Sequence, residues 1–279
     1  MKSVGIESFV FRIAGLAVMI SVYVFLFAPL VVVVGASFDG GEHAFMNFPP
    51  KQFSLAWYWN IPARYYKSLW ISLVVAAVSS GFAILIGVPA AMGLVRGSFR
   101  GKELLAGIFR APLQIPFVVT GIAFLQVYYL MGATLGINPN GTFVGLMIAH
   151  TFVATPYVIG TVGAILHGFD YSLEEAALSL GANGWSTFRR ITLPLIMPGL
   201  YAGALYAFII SFGNVPVSLF LAGPRYTPFP VEVFNAMEFD FNASILAIST
   251  LILFFSLVII WGIQRAVGID ALLRSGRSS

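Results

Sequence analysis

Six apolar stretches, each long enough to cross a lipid bilayer, restrict what this chain can fold into. They lie at about 11–37, 68–95, 104–131, 142–166, 197–221 and 242–264. A helix needs roughly 20 apolar residues to span the hydrocarbon core, because it rises about 1.5 Å per residue. The stretches lack the period-two alternation of a membrane barrel, so they predict helices. The expected fold class is therefore an all-α membrane protein with six transmembrane helices, in one domain over residues 1–279.

The composition agrees with a membrane protein and excludes several classes of enzyme. Hydrophobic residues make up 59% of the chain and charged residues 9%, which is too little charge to cover a soluble domain of 279 residues. There is no cysteine, so disulfides and thiolate metal sites are excluded. No HExxH, GxSxG or Walker-type glycine loop occurs in the sequence.

Two stretches depart from a plain span. Polar residues and prolines crowd the first half of the third stretch, so the alternative is a span that begins later: Arg110, Pro112, Gln114 and Pro116. The segment KQFSLAWYWNIPARYYKS, residues 51–68, is rich in Trp and Tyr. Such rings favour the headgroup region, which predicts an interfacial helix here, with an aromatic ligand cage as the alternative.

The distribution of basic residues predicts the orientation of the spans. Ten basic residues flank one set of span ends: Lys2, Arg12, Arg96, Arg100, Lys102, Arg189, Arg190, Arg265, Arg274 and Arg277. Four flank the opposite set: Lys51, Arg64, Lys67 and Arg225. Because basic residues are enriched on the cytoplasmic side, both termini are expected in the cytoplasm.

The loop 167–196, between spans four and five, is then cytoplasmic and carries the signals of a folded elbow. Ser172 and Glu175 form a capping-box pattern that predicts a short helix, and Gly181 is expected to end it in a left-handed conformation. A second short helix is expected from about 184 to 190. Pro194 is expected to mark the first turn of span five.

The same loop resembles the EAA loop of binding-protein-dependent ABC importer permeases. Its residues read EAA-x3-G-x9-I-x-L-P, from Glu175-Ala176-Ala177 through Gly181 and Ile191 to Leu193-Pro194. Four further segments look like the spermidine/putrescine-type subgroup: FSLAWY (53–58), SL (68–69), AHTFVATPYVI (149–159) and SLFLAGP (218–224).

The resemblance implies a transport subunit that is not itself an enzyme. The elbow would be a coupling helix seated in a groove of a cytosolic ATPase subunit, through Glu174, Glu175, Ala176, Ala177, Gly181, Ile191, Leu193 and Pro194. Two ATP-binding subunits, a second and related permease, and an extracytoplasmic solute-binding protein would be the partners, in a bacterial inner membrane. ATP and Mg²⁺ would be bound by the ATPase subunits, with no cofactor or metal in this chain and no nucleic acid.

The solute path is less defined. Polar residues inside spans usually face the bundle interior, so the candidates for the translocation path are Gln114, Tyr128, Ser211 and Asn214, with Thr120, Tyr206 and His150 behind them. For each, the alternative is a hydrogen bond that only packs helices. In the polyamine-type subgroup the region matching 211–218 often carries acidic residues, but this chain has Gly213 and Asn214. A polyamine, an opine, a phosphonate or an amino-acid-like solute all remain open.

Three rival functions are weighed against an importer. An ion-coupled secondary transporter of a small polar metabolite would favour acidic residues inside the spans, and only Glu103 at a border approaches this. An intramembrane enzyme would need a catalytic set at depth, and no such pairing is apparent. A purely structural membrane subunit would leave the polar elbow without a purpose.

Overall fold

The computed structural model describes residues 3–40, 47–239 and 243–267, and over these ranges the chain forms helices joined by short loops, with no β-strand. The helices are α1 (Ser3–Ala36), α2 (Ala56–Trp59), α3 (Ala63–Arg96), α4 (Lys102–Gln114), α5 (Phe117–Leu135), α6 (Phe143–His167), α7 (Ser172–Ser179), α8 (Gly184–Thr187), α9 (Leu193–Phe212), α10 (Val215–Leu221), α11 (Phe229–Phe239) and α12 (Ser244–Val267). The predicted all-α class is confirmed.

Five helical segments are long and apolar enough to cross a membrane. They are Phe11–Ala36, Ala63–Arg96, Phe117–Leu135, Phe143–His167 and Gly184–Phe212. In α12 the apolar helix over the described residues, Ser244–Val258, is shorter. The prediction of six spans with both termini on one side therefore stays a prediction.

The third apolar stretch is divided into two helices. It was expected at about 104–131, but α4 ends at Gln114 and α5 begins at Phe117. Pro116 cannot donate a backbone hydrogen bond, and it forces Ile115 into an extended conformation with φ −85° and ψ 126°. The alternative of a later start is confirmed.

The fifth stretch is also broken, and the expectation of one helix over 197–221 was wrong. The helix α9 ends at Phe212, and α10 begins at Val215 after two non-helical residues. The side chain of Asn214 accepts a hydrogen bond from Val217 N at 3.0 Å, so it caps a new helix instead of continuing the old one. Pro216 fits the first turn of α10, where no backbone donor is needed.

The chain divides into two compact units, residues 1–65 with 236–279 and residues 66–235. In the first unit α1 packs against α12. The short helix α2 is hydrogen-bonded to the residues just after α1. Trp57 Nε1 donates to the carbonyl oxygen of Asp39 at 2.9 Å, and the Tyr58 hydroxyl lies 2.6 Å from Ser37 Oγ. Two of the three aromatic residues of α2 thus bond to the chain just past the end of α1, while Trp59 is exposed.

The interfacial helix expected over 51–68 was wrong in its extent. The helical residues there are the single turn Ala56–Trp59 and, after a break, the first residues of α3, which begins at Ala63. Pro62 lies just before α3, where its fixed φ favours the start of a helix and its missing N–H is not needed.

The second unit is centred on α6, most of which is buried, and α9 packs along it. Gly199 and Gly203 are one turn apart on α9 and allow a close approach. A Cβ on Gly199 would lie 2.9 Å from the carbonyl oxygen of Thr161, and one on Gly203 would lie 3.1 Å from Val158 Cα. Small residues at this spacing let membrane helices pack backbone against backbone.

Candidate functional site

The loop after α6 folds into the two short helices α7 and α8, called the elbow below. The predicted helix at its start is confirmed, but the capping residue was wrong. Ser172 is the first helical residue, and the carboxylate of Asp170 accepts a hydrogen bond from Ser172 N at 3.0 Å. Hydrogen bonds from the side chain and backbone of Ser172 lower the pKa of the Asp170 carboxyl below its ordinary value. An Asp side chain commonly accepts a hydrogen bond from the backbone N–H two residues further along the chain, in an Asx turn.

The left-handed turn predicted at Gly181 is confirmed. Its φ is +88°, its N–H donates to Leu178 O at 2.9 Å, and Ala182 N donates to Ala177 O at 3.0 Å. These bonds satisfy the last carbonyl groups of α7. Asn183 then accepts a hydrogen bond from Ser186 N at 2.8 Å and begins α8. The two helices of the elbow are thus joined by a fixed turn.

Pro194 lies in the first turn of α9, as expected, but α9 is not a separate helix. The helix is continuous over Gly184–Phe212, through α8, a π-helical turn at Phe188–Thr192, and α9. In the π turn Leu193 N donates to Phe188 O, one residue further back than in an α-helix. Pro194 lacks a donor and would crowd the carbonyl of Arg190 in a regular helix. The wider turn accommodates it without a break.

An ion pair connects the elbow to the end of α3. Arg96 donates to both carboxylate oxygens of Glu174, at 2.9 and 3.1 Å. The buried Thr192 hydroxyl donates to the same carboxylate. The Arg96 guanidinium also lies over the rings of Phe169 and Tyr171, with its carbon 5.5 and 5.3 Å from their centroids. The helices α3 and α7 and the π turn that precedes α9 therefore meet at one carboxylate.

This joint was not foreseen from the sequence. Glu174 was grouped with the docking residues, and Arg96 was counted only for topology. Local spacing carries no signal for a pair that is 78 residues apart. The carboxylate of Glu174 is occupied inside the chain.

The exposed surface of the elbow combines small residues with two large apolar side chains. Of the other predicted coupling residues, Glu175, Ala176, Gly181 and Pro194 are exposed, while Ala177, Ile191 and Leu193 are partly buried. Two large apolar side chains that the motif did not indicate are also exposed: Leu180 at 89% and Trp185 at 70%. Exposed apolar side chains of this size are typical of a contact with another protein or with a membrane.

Three of the four main candidate path residues, Tyr128, Ser211 and Asn214, make hydrogen bonds to other groups of the second unit. The buried Tyr128 hydroxyl donates to Gly145 O at 2.8 Å, Asn214 caps α10, and Gln114 is exposed at the end of α4. None of these contacts tests a role in the path.

His150 is buried and makes two hydrogen bonds to serine side chains. Its Nδ1 lies 2.9 Å from Ser211 Oγ and its Nε2 lies 3.1 Å from Ser218 Oγ. The two serines flank the break between α9 and α10, so one imidazole on α6 holds both sides of it. Both ring nitrogens of His150 therefore have hydrogen-bond partners, as the alternative of a packing role requires.

Comparison with known proteins identifies the family. Residues 83–268 match the family model described as "Binding-protein-dependent transport system inner membrane component". The chain belongs to this family. It is a permease subunit of an ABC importer.

The permease has relatives of similar length. It is 32% identical over 244 residues to the spermidine/putrescine transport system permease protein PotC of Escherichia coli (strain K12), covering 87% of this chain and 89% of that protein. It is 33% identical over 234 residues to the putrescine transport system permease protein PotI of the same organism, covering 83% and 82%. These relatives are transport permeases, not enzymes.

Solved structures share the fold of the permease. A chain of a bacterial ABC transporter involved in the import of the acidic polysaccharide alginate aligns with a TM-score of 0.67 at 15% identity, covering 98% of both chains. A chain of the MetNI methionine ABC transporter in an inward-facing conformation aligns with a TM-score of 0.56 at 21% identity, covering 80% of this chain and 99% of that one.

Proposed function

We propose that the elbow transmits the motion of separate cytosolic ATPase subunits to the spans of this permease. The observation that carries the proposal is the combination of a stiff base with an apolar tip. At the base, Arg96 and Thr192 hold Glu174; at the tip, Leu180 and Trp185 project outward. To transmit motion, the elbow must be rigid at its base, where it joins the spans, and must bind the ATPase subunit at its tip.

Within this proposal the coupling residues divide into two groups. Glu175, Ala176, Ala177 and Gly181 form the docking surface, where small side chains let a partner approach the backbone. Glu174 instead belongs to the base, together with Ile191, Leu193 and Pro194 at the beginning of α9. ATP and Mg²⁺ are bound by two partner subunits, and their closure pulls on the tip.

The break in each of two helices gives the spans a way to respond. Packed helices switch between discrete arrangements instead of deforming continuously. The chain is non-helical at 115–116 and at 213–214. We propose that the segments on either side of these breaks move relative to each other as the path opens. The path itself is shared with a second, related permease.

We further propose six spans with both termini in the cytoplasm of a bacterial cell. The ten-to-four distribution of basic residues supports this orientation. It places the elbow in the cytoplasm, where an ATPase can reach it, and the opposite loops where an extracytoplasmic binding protein can deliver the solute.

The solute is a small polar metabolite of the polyamine, opine, phosphonate or amino-acid type. The relatives named for spermidine and putrescine support a polyamine. Against it, the predicted spans carry no acidic residue beyond Glu103 at a border, and a polycation in a low-dielectric path needs negative partners. Either the companion permease supplies them or the solute carries less positive charge.

The test uses the complete transporter reconstituted in vesicles. Leu180→Asp places a charge on the tip and should abolish ATP-driven uptake and the stimulation of ATPase activity by loaded binding protein. The matched control is Phe99→Asp, which also charges an exposed apolar residue, at 47% exposure, in the loop between α3 and α4 on the same predicted side as the elbow. Equal uptake in wild type and Leu180→Asp would refute the proposal. A thermal-shift screen of the binding protein against each solute class then identifies the solute.

A further inference from the structure

Two cavities between α3, α4 and α6 adjoin each other and have unlike linings; together they are called the trough below. They share the side chains of Phe109 and Pro156 as a common wall. One end has a volume of about 520 Å³ and the other about 460 Å³. The trough lies within the second unit and involves neither the elbow nor the break at 213–214.

The larger end is apolar. Phe82, Ile86, Ile108 and Phe152 contribute to its walls. The Thr151 hydroxyl is buried there and makes no hydrogen bond within the described residues. Its usual acceptor one turn back, Met147 O, accepts from Ser79 instead, at 3.2 Å. A polar solute would need several convergent polar groups, and this end provides no such set.

The smaller end is basic. Lys102, Arg110 and His167 line it, with Glu103 as its one acidic side chain. Lys102 Nζ donates to the carbonyl oxygens of Val95 and Gly97, at 3.4 and 3.0 Å, which fixes its ammonium group in place. Arg110 makes no hydrogen bond or ion pair within the described part of the chain, so its five donors are available to a ligand.

The helix α4 suits a position at the membrane surface. It carries Lys102 and Arg110 on one side and exposes Leu104 and Ile108 on another. An amphipathic helix of this kind lies in the interface, with its apolar side chains among the acyl chains. The basic end of the trough is then level with the lipid headgroups, and the apolar end lies deeper.

We propose that this trough binds an anionic phospholipid. The phosphate lies between Arg110 and Lys102, and an acyl chain occupies the apolar end beside Phe82 and Phe152. Basic pockets between transmembrane helices bind acidic headgroups in this way. Charge complementarity selects the lipid over a second protein, since a protein side chain would have to place both an acid and a long apolar group in the same trough. The proposal is independent of which side of the membrane the elbow occupies.

The test measures lipid bound to the purified transporter complex in nanodiscs of phosphatidylcholine with phosphatidylglycerol. Native mass spectrometry counts phosphatidylglycerol retained per complex. Arg110→Gln should lower retention about fivefold, the factor that one basic residue contributes toward an anionic lipid surface. The matched control is Arg100→Gln, which removes the same charge from an exposed residue outside the trough and should change retention less than twofold.

A second pair of variants fills the trough without changing charge. A Cβ on Gly160 would meet no atom within 4 Å, and Gly160 lines the basic end. Gly160→Leu should therefore fold and displace the lipid. Gly107→Leu, at an equally open site on α4 that lines neither end, is the control.

The outcomes separate lipid from the alternatives. Loss of phosphatidylglycerol in Arg110→Gln and Gly160→Leu, with retention in both controls, supports the proposal. Equal retention in all four variants, or no preference for phosphatidylglycerol over phosphatidylcholine, overturns it. The chain has no cysteine, so Gly160→Cys is a unique cross-linking site. A cross-link from it to the companion permease would also overturn the proposal, because the trough would then be a subunit contact.

Discussion

The Arg96 guanidinium lies 2.9 and 3.1 Å from the two carboxylate oxygens of Glu174, although 78 residues separate them in the chain. Their side chains are 27% and 15% exposed. A two-pronged pair of this kind fixes orientation as well as distance. It ties the end of α3 to α7, and Thr192 ties the same carboxylate to the helix that follows.

The first prediction concerns this pair. Arg96→Gln should lower the melting temperature of the complex by a few degrees, because a partly buried charged hydrogen bond contributes about 1–2 kcal/mol. It should also lower the amount of solute moved per ATP hydrolysed. Arg100→Gln, four residues further on and exposed, should change neither. The double variant Arg96→Gln with Glu174→Gln should lose less stability than the two single variants lose in sum. Strictly additive losses would show that the pair is not coupled.

The second prediction concerns the turn at Gly181. At φ +88° an alanine there costs about 1–2 kcal/mol, because its Cβ crowds the backbone. Gly181→Ala should therefore weaken ATP-driven uptake while the protein still inserts in the membrane. Gly184→Ala is the control, since Gly184 begins α8 without a positive φ and its added Cβ meets nothing within 4 Å. Similar uptake in the two variants would argue against a fixed turn.

The third prediction concerns His150. Ser211→Ala leaves His150 Nδ1 unpaired in the interior, which costs about 1–3 kcal/mol. Thermal unfolding of the purified complex should show this loss. Thr155→Val is the control, because the Thr155 hydroxyl donates only to Thr151 O of its own helix. If both variants have the same melting temperature, His150 does not hold the break between α9 and α10.

The fourth prediction concerns the contact of α9 with α6. A Cβ on Gly199 would lie 2.7 Å from Ile165 Cγ1 and 2.9 Å from a backbone oxygen, so Gly199→Ala should separate the helices. Overpacking of this kind costs about 1–3 kcal/mol. Gly81→Ala on α3, at an open site outside the trough, should leave the melting temperature unchanged. An unchanged melting temperature in Gly199→Ala would mean that the two helices adjust freely.

The sequence predicted the features that depend on neighbours in the chain. The helical class followed from apolar runs, and the left-handed Gly181 followed from a glycine at the end of a short periodic segment. Pro116 also marked the later start of α5. These signals act within a few residues, so they can be read from the sequence alone.

Contacts between distant segments could not be predicted in this way. The pairing of Arg96 with Glu174 and the two bonds of His150 depend on how α3, α6 and α9 pack. The break at Gly213–Asn214 was hidden because the residues on both sides are apolar enough to continue a span. The π turn before Pro194 was missed because proline usually begins a helix, and a widened turn leaves no pattern in the sequence.

The most direct test of a lever driven from the cytoplasm is the accessibility of Leu180. Leu180→Cys introduces the one cysteine of the chain at a residue that is 89% exposed. In sealed vesicles of known orientation, a membrane-impermeant maleimide should label it only from the cytoplasmic side, and bound ATPase subunits should protect it. Labelling from the opposite side, or labelling that the ATPase subunits do not reduce, would contradict the proposed coupling.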